Sequence, residues 1–190
     1  MSQKYVYVML SKSTTLVSRL IYLVTRRAYT HSSMSIDPTM MDIYSFCRIY
    51  PRFALPAGFS NESLHKGFYR IHTDIPCRVY RMKITDLQWE MLESVFKRMY
   101  ASRKKFRYDV TGGIFYFIKK KHRRYNYRYC SWFLSEVLGE LEIMKIHKDY
   151  SLFEPVDFDD VEGLEVIYEG KVGDLRQQIE EGRLLDEENW

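Results

Sequence analysis

Near the N-terminus, residues 4–10 and the serine that follows, KYVYVMLS, form an almost unbroken β-branched and aromatic run. A run of that length predicts a buried strand. In TLVSRLIYLVTRR the apolar positions Leu16, Leu20, Leu23 and Val24 then change to helical spacing, with Arg26 and Arg27 placed at the negative C-terminal end. AYTHSSMSI returns to a period of two, so Tyr29, His31, Ser33 and Ser35 are expected on one face of a strand. Asp37-Pro38 marks a turn, and MDIYSFCRIY is expected to run back antiparallel as the second arm of a hairpin over roughly residues 29–49.

Residues 51–74 mix Gly and Pro breaks with polar positions and predict an irregular loop. PCRVYRMKI (76–84) predicts a long strand. Thr85 followed by Gln88 three positions later is a capping-box pattern, which opens a helix running to about Ser102. Beyond a basic stretch comes SWFLSEVLGELEIM. There Phe133, Leu134, Val137, Leu138 and Leu141 form an apolar helical stripe, with glutamates on the other side. The tail predicts a loop, a strand LEVIYE (164–169) and an acidic helix near 172–182. Helices and neighbouring antiparallel strands without a βαβ rhythm point to an α+β fold.

The 190 residues favour one domain with at most a small appendage, divided here as 1–153 and an acidic extension 154–190 packed on it. Charge sharpens that division. Residues 1–153 hold 26 Lys+Arg against 12 Asp+Glu, a net of +14, whereas 154–190 hold 3 against 13, a net of −10. The tail docks on the basic body, the body meets an anionic partner, or the two are simply oppositely charged solvated faces. Three cysteines with no CxxC pair form no disulfide framework and fit a reducing compartment. TTLVSRLIYLV is too short to span a bilayer and MSQKYVYVML lacks a signal-peptide pattern, so a cytoplasmic protein is expected.

Cys130 stands where the basic stretch ends and a well-patterned helix begins. A helix N-terminus offers unpaired N–H groups and partial positive charge, which favour a thiolate and can hold an oxyanion. Arg123, Arg124 and Arg128 are expected to act in the same direction. A nucleophilic cysteine needs a base, and of the five histidines only His31 falls inside a core strand. His65, His72, His122 and His147 are expected to be exposed. Cys47 and Cys77 lack a helix N-terminus and are expected to be packing residues. No HExxH or paired His/Cys spacing calls for a metal, and no motif calls for a cofactor.

These tracts resemble the papain-like NlpC superfamily in its circularly permuted YiiX-like branch, in which the histidine precedes the cysteine. The helix leading into YTHSSMSID resembles the stretch around the family's histidine and points to His31. YRYCSWFLSEVL resembles its Tyr-x-Cys-Ser helix start and points to Cys130, and YDVTGG (108–113) resembles its Tyr-Asp segment. IYSF matches the strand that carries the third residue and puts Ser45 there, where a hydroxyl could orient the imidazole but not compensate its charge. The resemblance implies an antiparallel sheet packed against helices. It also implies thiol-dependent cleavage or transfer at a peptide, amide or acyl-ester carbonyl.

Two other classes stay open. One is a papain-like module that binds without cleaving. The other is a nucleic-acid-binding protein using residues 103–128, where ten Lys+Arg surround aromatic residues. No RNA- or DNA-binding fold pattern accompanies that segment.

Overall fold

The computed structural model describes residues 3–12, 28–50, 53, 55–109 and 124–183. The helix expected over TLVSRLIYLVTRR and the tract TGGIFYFI lie outside the described residues.

One sheet organises the chain. Its strands are β1 (Lys4–Ser11), β2 (His31–Ser35), β3 (Ile43–Arg48), β4 (Ala57–Glu62), β5 (Pro76–Ile84) and β8 (Glu165–Lys171). They lie in the order β4-β3-β2-β1-β5-β8, with every neighbouring pair antiparallel. The central strand β1 is apolar throughout because both of its faces are covered. Val6, Val8 and Leu10 point to one cluster, with Met34, Phe46 and Tyr80. Tyr7 and Met9 point to the other, with Ile43, Cys77 and Val79.

Helices complete the two outer layers. On the first face α2 (Asp86–Ala101) contributes Leu92 and Phe96, and α3 (Cys130–Glu140) contributes Phe133, Leu134 and Leu138. On the second face α1 (Gly67–Ile71) supplies Phe68 and Tyr69, and α4 (Val172–Glu180) supplies Val172, Leu175 and Ile179. Helix α2 starts at the expected place. The Thr85 hydroxyl accepts the Gln88 N–H at 3.2 Å, and the Gln88 side chain accepts the Thr85 N–H at 3.0 Å.

The stretch 51–74 departs from the loop expected there, since it contains β4 and α1. The sequence AGFSNE has low intrinsic strand preference. Its pairing with β3, Phe46↔Phe59 and Ser45↔Ser60 among the partners, supplies the order that composition lacks. A short parallel pair, β6 (Arg107–Tyr108) with β7 (Tyr127–Arg128), brings two distant segments together just before α3. The acidic C-terminal stretch supplies β8, the outer strand beside β5. Its Glu169 holds Arg78 through two hydrogen bonds, at 2.8 and 3.0 Å, and accepts the Tyr29 hydroxyl at 3.0 Å.

Candidate active site

Cys130 is the first residue of α3 and is 3% exposed. The helix is held in place by its opening turn. Tyr129 donates its hydroxyl to the Ser151 carbonyl and Ser131 donates to that of Phe153, so both flanks of the cysteine are tied to the segment that follows the helix. Tyr129 caps the helix without any side-chain hydrogen bond, which leaves the first N–H groups unclaimed by a cap.

His31 opens β2. It pairs with Ser11 of β1, and the Thr30 N–H donates to the Ser11 carbonyl at 3.1 Å. The imidazole interacts with the Cys130 thiol, and its Nε2 lies 3.1 Å from Glu62 Oε2. The side chains of His31 and Glu62 are only 12% and 11% exposed, so their attraction is weakly screened. A thiol from α3 and a carboxylate from the edge strand β4 thus both act on the imidazole from β2.

The electrostatics follow from that line. Burial disfavours the charged form of both partners. For Cys130, the His31 hydrogen bond and charge outweigh burial, with the Ser32 backbone and hydroxyl acting in the same sense, and the thiol falls below its ordinary value. For His31, the bonds to Cys130 and Glu62, with their charges, outweigh burial and the ring is pushed up to about 10. Both shifts act in the same sense, each favouring the charged form of its group. Burial pushes the other two thiols the opposite way. Cys77 rises to about 12, and Cys47 is pushed well up by burial and then by the charge of Glu62.

Tyr108 also interacts with Cys130. The β6–β7 pair explains its position, since Tyr108 lies opposite Arg128, two residues ahead of the cysteine. Burial and then the Cys130 charge raise its phenol well above the usual range, so it stays protonated and able to donate.

The third position differs from the one read from sequence. Ser45 is fully buried and donates its hydroxyl to the Ser32 carbonyl at 2.7 Å, while Glu62 takes the imidazole nitrogen. Ser45 supports the backbone next to His31 and leaves the ring to a carboxylate, which can also balance imidazolium charge. Glu62 escaped notice because β4 reads as loop. The alternation Gly58, Ser60, Glu62 was the available signal, a polar strand face made of residues with little strand preference.

The expected arginine assistance is not what lowers the Cys130 thiol. Arg128 makes a bidentate pair with Glu136, at 2.6 and 2.9 Å, and lies over the Trp132 ring. Arg124 lies over Tyr127, with its guanidinium carbon 3.9 Å from the ring centroid. Arg123 lies outside the described residues. Tyr29 departs from the expected face with His31, joining the helix-covered cluster that contains Met34.

His65 and His72 are half-buried rather than exposed. His65 contacts the Thr39 carbonyl at 3.2 Å and Glu180 at 3.3 Å, and His72 packs on Phe68. His147 is exposed, and His122 lies outside the described residues.

Among the described residues no group of three His, Cys, Asp or Glu side chains is arranged to hold a metal, and no helix is long and apolar enough to cross a membrane. A cavity of about 270 Å³ opens on the β4 side, where Glu62, Ser60 and Tyr69 form part of its wall. No family model, curated protein or solved structure matches the chain.

Proposed function

We propose that this chain is a thiol hydrolase or acyl transferase acting on a peptide, amide or acyl-ester carbonyl, built as a circularly permuted papain-like domain. The observation that carries the reading is the buried grouping of Cys130, His31 and Glu62, with the cysteine at a helix N-terminus. Glu62 occupies Nε2, which leaves Nδ1 as the imidazole nitrogen for the thiol. The order of histidine before cysteine is the order of the permuted branch that these tracts resemble.

In this mechanism the Cys130 proton passes to His31 and the sulfur attacks the carbonyl carbon. The C=O electron pair moves onto oxygen, where the Cys130 N–H at the helix start and the Tyr108 hydroxyl are the available donors. Collapse of the intermediate expels the amine or alcohol, which takes the proton from His31. A thioester remains on Cys130. Water, deprotonated by His31, then hydrolyses it, or a second nucleophile accepts the acyl group.

The test is acylation of the protein by p-nitrophenyl esters of graded chain length, read by intact mass and peptide mapping. The expected result is a burst of nitrophenolate with one acyl group on Cys130, absent in Cys130→Ala and slowed in Tyr108→Phe. Failure of every ester to acylate Cys130 while iodoacetamide still alkylates it would turn the reading toward a binding module.

A further inference from the structure

Ser32 follows His31 in β2 and is fully buried. Alternation along the strand puts it on the side of Met34, the face covered by α3. Its main chain is engaged on both sides of the site. The carbonyl accepts the Ser45 hydroxyl at 2.7 Å, and the N–H bears on the Cys130 sulfur. The Ser32 hydroxyl is different. It lies near the same sulfur, yet among the described residues it has no hydrogen-bond partner.

Buried hydroxyls without a partner are rare, because the lost hydration is not replaced. A neutral thiol is a weak acceptor, whereas a thiolate is a strong one. The geometry points to Ser32 as a positioning residue whose hydroxyl is held in reserve for the ionised sulfur of Cys130. When the thiol proton moves to His31, the Ser32 O–H turns onto the sulfur and completes its bond without any movement of the strand. Ser45 contributes from behind by fixing the Ser32 carbonyl, and with it the peptide that carries the hydroxyl. The inference rests on the thiol reading above and adds to it a second device, beside the imidazolium, that lowers the cost of the thiolate.

The experiment is iodoacetamide alkylation against pH for the full chain, with site assignment by mass spectrometry and melting temperature measured on the same samples. Ser32→Ala should move the Cys130 profile up by about one pH unit, a roughly tenfold loss of thiolate below the midpoint. Its melting temperature should be unchanged or raised, because an unpaired buried hydroxyl has been removed. Ser32→Gly repeats the loss of the hydroxyl should the alanine variant fail to fold. His31→Ala should give a larger upward shift. An unshifted Ser32→Ala profile beside a shifted His31→Ala profile would overturn the role of Ser32 and leave the Cys130–His31 pair standing. Profiles indifferent to both substitutions would overturn the thiol reading and this inference with it.

Discussion

Glu62→Gln isolates the contact that separates this site from the one expected at Ser45. The substitution keeps size and shape but exchanges a carboxylate for a neutral amide 3.1 Å from the His31 Nε2. Both side chains are almost wholly buried, so solvent screening removes little of the effect. A hydrogen bond to a charged group contributes about 1.5–3 kcal/mol, and 1.36 kcal/mol corresponds to one pKa unit, so the imidazole pKa should fall by about 1–2. From its folded value of about 10 the ring should then titrate at roughly 8–9. The Cys130 thiol should rise in turn, since the imidazolium that stabilises its thiolate is less firmly held.

The stability consequence has a definite sign. A histidine raised in the folded state contributes fully below its unfolded pKa of about 6.5, and the contribution is lost as pH rises toward the folded value. The difference in unfolding free energy between the parent chain and Glu62→Gln should therefore be fully present below about pH 8 and be lost as pH rises through about 10. Urea titrations at a series of pH values measure it, and NMR titration of the His31 ring gives the pKa directly. A ring pKa unchanged in Glu62→Gln but lowered in Ser45→Ala would refute this assignment and restore the serine. The expected result for Ser45→Ala is a stability loss of about 1 kcal/mol, the worth of one neutral hydrogen bond, with the ring pKa unmoved.

Of the three thiols, Cys130 should be the one alkylated at pH 6.5, with Cys47 and Cys77 silent because burial raises both; labelling with site assignment by mass spectrometry checks this. Thr85→Ala removes one half of the capping box and should cost about 1 kcal/mol in urea denaturation without changing Cys130 alkylation. Gly58→Ala places a Cβ 2.5 Å from the Phe106 carbonyl oxygen, a backbone atom that cannot swing away. It should cost about 1–3 kcal/mol in the same assay. Leu175→Ala empties a fully buried position under β8 and should cost about 2–5 kcal/mol, read as a lower urea midpoint.

The sequence by itself determined the elements whose signal is local. KYVYVMLS had to be a strand covered on both sides, because six apolar or aromatic side chains in succession, alternating between the two faces, need cover on each. PCRVYRMKI became β5 with the bounds that its pattern marks, and Thr85 with Gln88 marked the start of α2 because a capping box is complete within four residues. The helix at Cys130 and the hairpin carrying His31 were legible for the same reason.

Features that depend on distant partners came from the assembled sheet. AGFSNE is a strand because β3 pairs with it, and that pairing carries Glu62 to His31 across 31 positions of chain. Tyr108 reaches Cys130 because β6 lies beside β7. Charge counting placed arginines near the thiol, but it could not show that Glu136 and the rings of Trp132 and Tyr127 already occupy them. Side-chain identity sets which interactions are possible; which of them form is settled by the sheet register, because a hydrogen bond to a buried ring requires an atom at about 3 Å and sequence distance does not encode that.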